Sequence, residues 1–339
     1  MKLKSDWVFN YKKGIREAMV SWNYHVQGEK LYFVLLYGSF PFTSVLVELD
    51  MSTQESRTLY EVDHIVRSFT VEKDRFYFTA MNGYAYCVDK DGKLIWEKLV
   101  KDDNASPELL IDGDRLYISN YSMFCLDKNT GDIIWTNDSY SEKCNCNILN
   151  YKDYIISGEL EGKVFCLEKA TGKKVWDYGK KEWVSKCVLM DNGHLLVELI
   201  NNGLLIFDPE SGKLIKKIKL KGKLYTTPVF DGDKLYIGDG SSVMNSESGS
   251  MTCYEVSGDD IKEVYSYEIS GEISTPAVID GDKLYFAGEN NYLYCIDKTT
   301  GKELMTKKKT KGVCRDIYVE DKGLIVISDK GQVEHFQLS

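Results

Sequence analysis

Long apolar runs are missing from this chain of 339 residues. No stretch reaches about 18 apolar residues, so we predict no transmembrane helix. The first seven residues, Met1 to Trp7, contain no apolar segment of the kind that forms a secretory signal. Proline is scarce as well, with 5 residues against 27 glycines and 23 tyrosines. Because aromatic side chains suit strands and glycine suits turns, this balance favours β structure.

An excess of basic residues is also absent. Lys and Arg number 43 against 52 Asp and Glu, which gives a net charge of −9. This acidic balance weighs against nucleic acid and against anionic membrane surfaces as partners, and we predict neither. Together with the missing signal, it predicts a cytoplasmic protein, unless a signal peptide has been cleaved off.

The nine cysteines include no adjacent pair. Their number is odd, which favours free thiols in a reducing compartment. Cys144 and Cys146 are close enough in sequence to share a metal ion, but no Cys-x-x-Cys or His pair completes such a site. We therefore predict no metal site. Five others hold one equivalent position of the repeat described below and are predicted to be core residues, as free cysteine behaves like a small hydrophobe: Cys87, Cys125, Cys166, Cys253 and Cys295.

One motif recurs along the chain and consists of an acidic residue, a Thr-Gly turn and a Trp. Its clearest copies run from Asp127 to Trp135 and from Glu168 to Trp176. The copies align on positions 50, 89, 127, 168, 208, 255, 297 and 336, with spacings of 39, 38, 41, 40, 47, 42 and 39. A period of about 40 residues, with four short strands in each unit, predicts the blades of a β-propeller.

The two ends of the chain predict how the propeller closes. Only three residues follow Phe336, so the last unit lacks its fourth strand, whereas Asp6 and Trp7 look like a fourth strand without the preceding three. We predict one all-β domain over residues 1–339, an eight-bladed propeller of four-stranded antiparallel blades. A strand at about 5–11 completes the last blade at about 313–338, which removes an exposed sheet edge.

The spacing of the motif resembles the repeat of the pyrroloquinoline-quinone (PQQ)-like propeller family. This family contains eight-bladed quinoprotein dehydrogenases and the propeller lipoprotein of outer-membrane β-barrel assembly. The likeness covers essentially the whole chain. It implies that the repeated Trp packs between neighbouring blades, a role that Trp7, Trp96, Trp135 and Trp176 would keep.

The resemblance does not carry the family's cofactor site with it. The dehydrogenases typically have a disulfide between adjacent cysteines and a calcium ion held by Glu, Asn and Asp. Here the nearest match, Cys144-Asn145-Cys146, is not an adjacent pair, and calcium-type loops such as D-x-D-x-D-G are absent. The triplet Asp-Gly-Asp recurs at 112, 231 and 280, where a hairpin turn explains it. We predict neither PQQ nor calcium.

In this family the starts of the innermost strands gather around a central channel. Alignment of the blades places these residues at its mouth: Trp22, Arg67, Glu108, Asn145, Lys186, Arg315 and Asp316. The three cations among them could hold an anion or an acidic side chain of a partner, with Glu108 and Asp316 as counter-charges. An internally paired, water-filled funnel is the alternative, since propeller channels are normally polar and wet.

One loop on the same face is predicted to bind a partner. Phe40 and Phe42 flank Pro41 in blade 1, and apolar, turn-prone residues of this kind suit an exposed interface anchor. Because no set of catalytic residues is recognisable, the sequence favours a non-enzymatic scaffold that presents loops to a protein or peptide. The alternative is an enzyme or small-molecule binder that uses the anion-binding funnel, and a weaker one is an exported envelope scaffold.

Overall fold

A computed structural model describes residues 3–11, 19–38, 42–101, 108–139, 146–159, 162–179, 183–200, 203–220, 223–224, 226–240, 248–258, 260–320 and 323–337. These residues form 33 strands and no helix. They belong to two compact units. Unit 1 contains Met1–Lys13, Met190–Phe207 and Leu214–Ser339, and unit 2 contains Gly14–Leu189 and Asp208–Lys213.

The strands are β1 (Lys4–Asn10), β2 (Met19–Gln27), β3 (Lys30–Tyr37), β4 (Thr43–Asp50), β5 (Ser56–Val62), β6 (Val66–Glu72), β7 (Arg75–Ala80), β8 (Tyr84–Asp89), β9 (Leu94–Leu99), β10 (Glu108–Asp112), β11 (Arg115–Ser119), β12 (Met123–Asp127), β13 (Ile133–Asn137), β14 (Leu149–Tyr151), β15 (Tyr154–Gly158), β16 (Lys163–Glu168), β17 (Lys174–Gly179), β18 (Val184–Leu189), β19 (Leu195–Leu199), β20 (Gly203–Phe207), β21 (Leu214–Lys219), β22 (Lys223–Leu224), β23 (Val229–Asp231), β24 (Lys234–Gly240), β25 (Ser248–Ser257), β26 (Asp260–Ser270), β27 (Val278–Asp280), β28 (Lys283–Gly288), β29 (Tyr292–Asp297), β30 (Glu303–Lys309), β31 (Cys314–Glu320), β32 (Gly323–Ser328) and β33 (Gln332–Gln337).

The strands form eight antiparallel sheets, and the fold is the predicted eight-bladed β-propeller. Blades 1 to 5 are β2–β5, β6–β9, β10–β13, β14–β17 and β18–β21, each in chain order. Blade 6 has the order β22-β24-β25-β26 with β23 also paired to β24, and blade 7 is β27–β30. The single domain over 1–339 stays a prediction.

Blade 8 is completed by the N-terminal strand, as predicted. Its order is β31-β32-β33-β1, and β1 runs antiparallel to β33 with Lys4 opposite Gln337 and Asn10 opposite Gln332. The Trp7 ring stacks on His335 at a centroid distance of 5.5 Å. The two ends of the chain therefore share one sheet, and the role of Trp7 between blades stays a prediction.

In five repeats the acidic residue organises the turn after the third strand. In blade 3 the Asp127 carboxylate accepts hydrogen bonds from the backbone N–H groups of Asn129 (2.7 Å) and Thr130 (3.1 Å). The chain then turns at Gly131, whose φ of 77° lies in the left-handed region that glycine adopts without strain. The Asp and Gly of the motif are thus both explained by turn geometry.

The repeated Trp packs onto the turn glycine of the next blade. A Cβ atom placed on Gly131 would lie 2.8 Å from the Trp96 ring, and the Trp96 indole donates a hydrogen bond to the Lys128 carbonyl at 2.9 Å. Trp135 and Trp176 make equivalent contacts with the blades that follow them. These three predicted contacts are confirmed. Where blade 6 lacks the Trp, Tyr265 replaces it and donates to the carbonyl of Lys298.

Each outer strand carries a β-bulge next to this aromatic position. In blade 3, Cys125 lies opposite Trp135 and Leu126 opposite Ile133, so Ile134 is unpaired. The same irregularity recurs in the other seven outer strands. Because a bulge interrupts the edge ladder, it disfavours pairing with another chain.

Two further sequence predictions are confirmed. All five cysteines of the repeat position are buried and free. The Asp-Gly-Asp triplets form hairpin turns in which Asp112, Asp231 and Asp280 lie opposite Arg115, Lys234 and Lys283. Two of these aspartates also pair with a lysine of the next blade, Asp112 with Lys169 (2.7 Å) and Asp231 with Lys298 (2.5 Å).

Candidate functional site

The arginines predicted at the channel mouth occupy equivalent positions in their blades. In β6, Val66 lies opposite Ala80 and Ser68 opposite Thr79, which leaves Arg67 in a bulge. In β31 the same shift leaves Arg315 in a bulge. A bulge re-aims the side chain that it carries. Of the other predicted residues, Asn145 lies outside the described residues, and Trp22 lies in β2 with its side chain outside them.

In unit 2 a partly buried carboxylate lies between a hydroxyl and a cation. Glu108 begins β10 and accepts a long hydrogen bond of 3.5 Å from Ser68 in the preceding blade. Burial raises the pKa of Glu108, and the nearby charge of Lys186 in β18 opposes that rise only in part. Arg67, the residue before Ser68 in β6, is exposed.

An exposed tryptophan lies close to Lys186 in the chain. Trp183 comes directly before β18, three residues from Lys186, and 52% of its surface is exposed. No other large apolar side chain among the described residues is more exposed. The repeat analysis did not single it out. A signal was available, since Trp183 and Trp22 are the two tryptophans of the chain that do not stand at the repeated Trp position.

We refer to the first strand of each blade as its A strand. Five residues of unit 2 lie at or near the start of an A strand, and we call them the A-strand surface of unit 2: Arg67, Ser68, Glu108, Trp183 and Lys186. Exposed aromatic rings next to fixed charges are typical of protein-binding sites, because the ring supplies buried area and the charges select the partner.

In unit 1 the predicted cation already has partners. The Arg315 guanidinium lies 2.6 Å from a Glu289 carboxylate oxygen and 3.9 Å from one of Asp329. The neighbouring Asp316 is half-buried, and desolvation raises the pKa of its carboxyl to about 7, against an opposing hydrogen bond from the Ile317 N–H at 3.1 Å. These contacts are those expected of the internally paired alternative.

The predicted partner-binding loop of blade 1 is described only at its end. Phe40 and Pro41 lie outside the described residues, and Phe42 is half-buried. Beyond it, the Ser44 hydroxyl donates to the His64 carbonyl at 2.7 Å and accepts from the Val66 N–H at 2.8 Å. The start of β4 is thereby tied to blade 2, while the binding role of the loop stays a prediction.

Potential metal ligands are dispersed among the described residues. Within the described ranges, no three or more His, Cys, Asp or Glu side chains are grouped so that they could hold a metal ion. The absence of calcium and of PQQ stays a prediction. No helix long and apolar enough to cross a membrane occurs in the described part of the chain.

The eight blades, the Asp-turn-Gly motif and the inter-blade Trp define a propeller of the PQQ-like class. The family model described as "Outer membrane protein assembly factor BamB" matches residues 45–179, 160–260 and 247–338, which together are most of the chain. The chain belongs to this family.

The individual proteins that resemble this chain have low sequence identity to it, between 12% and 29%. The outer membrane protein assembly factor BamB of Kangiella koreensis is 29% identical over 95 residues, a segment that is 27% of this chain and 24% of that protein. Among solved structures, BamB from Moraxella catarrhalis has a TM-score of 0.71 at 15% identity, over 99% of this chain and 98% of that one. A europium-containing methanol dehydrogenase has a TM-score of 0.72 at 12% identity, over 99% and 93%.

These comparisons support the fold more firmly than the function. The two structural neighbours are an assembly factor and an enzyme, so their shared architecture does not identify an activity. The name of the curated relative refers to the outer membrane, and it is at odds with the cytoplasmic location predicted from composition.

Proposed function

We propose that the protein is a binding scaffold that recognises a protein partner through the A-strand surface of unit 2. The observation that carries this proposal is the exposed ring of Trp183 beside Lys186. Family membership supports it, because the family's name describes assembly factors. On that basis the partner belongs to the assembly of outer-membrane proteins, and the chain acts outside the cytoplasm.

The energetic argument concerns the tryptophan. Full burial of a Trp side chain removes 150–250 Å² of surface from water, which corresponds to a few kcal/mol at about 25 cal/mol per Å². Trp183 leaves about half of this gain unused in the free protein. Side chains of this type, when they become buried at an interface, supply most of its binding energy.

The charges beside the ring specify the chemistry of the partner. Arg67 and Lys186 are cations, and burial disfavours the charged form of Glu108, on which the charge of Lys186 acts. The surface therefore favours a segment that combines an apolar side chain with a carboxylate.

The anion-binding funnel is the second candidate function. It draws on Arg67 and Lys186. The third predicted cation, Arg315, lies 2.6 Å from a Glu289 carboxylate oxygen and 3.9 Å from one of Asp329. A small anion that binds through Arg67 would raise the melting temperature of the wild type. It would not raise that of Arg67→Glu.

The protein partner is tested by quantitative affinity purification from native lysate with three baits. These are the wild type, Trp183→Ala and the matched control Ile134→Ala. Ile134 lies in the same unit and is 47% exposed, but it belongs to the bulge of an outer strand. We expect one stoichiometric partner with the wild type and the control, and at least a tenfold loss with Trp183→Ala.

Two results would argue against the proposal. Equal recovery of the partner by all three folded baits would show that Trp183 does not contribute to binding. Loss of the partner with Ile134→Ala alone would show that the binding site lies on the outer strands.

A further inference from the structure

Two cysteines of neighbouring blades meet at the A-strand side of unit 2. Cys146 precedes β14 of blade 4, and Cys187 lies in β18 of blade 5. Their sulfur atoms are 3.5 Å apart, close enough for the Cys146 thiol to donate a hydrogen bond to the Cys187 sulfur. Both side chains are buried. The sequence places the two residues at the same position of successive repeats, 41 residues apart.

The side chain of Asn147 holds the two backbones in this arrangement. Its amide NH₂ donates to the Cys187 carbonyl at 2.9 Å, and its carbonyl oxygen accepts from the Cys187 N–H at 2.9 Å. Cys146 directly precedes Asn147 in the chain, and its thiol lies 3.4 Å from the side-chain carbonyl oxygen of Asn147. The Asn147 amide therefore fixes the position of Cys187 relative to Cys146.

The other described cysteines lack this arrangement. Each lies in a different blade, and burial raises the pKa of their thiols, to about 11 for four of them and to about 12 for Cys166. Buried, isolated thiols of this kind are chemically inert. The repeat cysteines are thus core residues, and the pair at 146 and 187 needs a separate explanation.

We propose that Cys146 and Cys187 form a reversible disulfide that links blade 4 to blade 5. A disulfide bond is about 2.05 Å long, so the two sulfur atoms need to approach by about 1.5 Å. Asn147, the residue after Cys146, is already hydrogen-bonded to the backbone of Cys187, so this approach is made by side-chain rotation and a small backbone shift.

The reaction is a two-electron oxidation by a hydroperoxide. One thiol attacks the peroxide and becomes a sulfenic acid, while the peroxide loses an alcohol or, for hydrogen peroxide, water. The second thiol attacks the sulfenic sulfur, the S–S bond forms and a further water molecule leaves. In sum, two thiols and one hydroperoxide give one disulfide, one alcohol or water, and one water. Because both thiols are buried, the oxidant reaches them through local opening of the strand starts.

The bond would constrain the surface proposed to bind the partner. Cys187 directly follows Lys186, so the cross-link fixes the strand that carries this cation. It also closes a loop of 41 residues, which reduces the conformational freedom of the unfolded chain. The oxidised protein is therefore more resistant to heat than the reduced protein, independently of whether the proposed partner exists.

The test is a thiol count on the purified full chain. The protein is reduced, freed of reductant and treated with hydrogen peroxide, and the remaining thiols are alkylated in denaturant and counted by mass spectrometry. We expect the count to fall from nine to seven, with one cross-linked peptide that joins Cys146 to Cys187. Dithiothreitol restores nine thiols, and the melting temperature is higher in the oxidised form.

Variants separate this pair from the remaining cysteines. Cys187→Ser contains eight thiols and keeps all eight, with no rise in melting temperature. The matched control Cys125→Ser, at a buried repeat position, falls from eight to six. The proposal is overturned if the folded wild type keeps nine thiols, if the cross-linked peptide contains another cysteine such as Cys144, or if the disulfide joins two chains.

Discussion

The contact between Trp96 and Gly131 provides a quantitative test of how successive blades are held together. Gly131 has a φ of 77°, and a Cβ atom added there would lie 2.8 Å from two atoms of the Trp96 ring. Gly131→Ala therefore has two costs. The left-handed backbone costs about 1–2 kcal/mol with any L side chain, and the displacement of a packed ring costs about 1–3 kcal/mol more.

A matched control is available in the same blade. Gly113 has a φ of 59°, but a Cβ atom added there meets nothing within 4 Å. Gly113→Ala therefore has the backbone cost alone, about 1–2 kcal/mol. We expect the guanidinium midpoint of unfolding to fall for both variants and to fall about twice as far for Gly131→Ala. Tryptophan fluorescence and circular dichroism both report the transition.

A double variant isolates the ring contact. In a Trp96→Ala background the ring is gone, so Gly131→Ala should cost no more than Gly113→Ala. Equal midpoints for the two single variants would show that the glycine is kept for its backbone conformation alone. An unchanged cost of Gly131→Ala in the Trp96→Ala background would lead to the same conclusion, and both results would refute the packing explanation.

Two further predictions concern unit 1. The Asp316 carboxyl has a pKa raised from the ordinary value of 3.8 to about 7 in the folded protein. As the pH rises through this range, ionisation therefore lowers the free energy of unfolding by at most about 4 kcal/mol. Asp316→Asn should match the wild type at pH 4 and melt higher at pH 8; a stability difference that does not change with pH would contradict this. The buried His335 lies 3.2 Å from Asp6 and 2.8 Å from Glu320 and stacks on Trp7, so His335→Ala should selectively accelerate hydrogen exchange in residues 4–10. Unchanged protection of that strand would show that the backbone ladder with β33 alone holds it.

The sequence predicted those features that the repeat itself encodes. The blade count, the Asp-turn-Gly geometry and the burial of Cys125 and its equivalents follow from residue types at fixed spacings, because each spacing corresponds to a turn or to one side of a strand. The completion of blade 8 by β1 followed from the missing fourth strand. The outer-strand bulges were not predicted, since an Ile before the Trp does not reveal by itself that it is unpaired.

The candidate site was predicted less completely, for a physical reason. The residues that pair with Arg315 come from loops, and Glu289 is 26 positions away in another blade. Which loop residue reaches the guanidinium depends on strand register and bulges, neither of which the repeat spacing specifies. Trp183 was missed although its place outside the repeated Trp position was a signal that the sequence contains. The contact between Cys146 and Cys187 was also missed, although the two residues are 41 positions apart, which is one repeat.

A photo-crosslinking amino acid at position 183 tests the proposed binding surface most directly. The wild-type residue is replaced by benzoylphenylalanine in one protein, and Ile134, which has similar exposure, is replaced in a second. After irradiation in native lysate we predict a single adduct of defined mass at position 183 and none at position 134. Adducts at position 134 alone, or none at position 183 with a folded protein, would contradict the account.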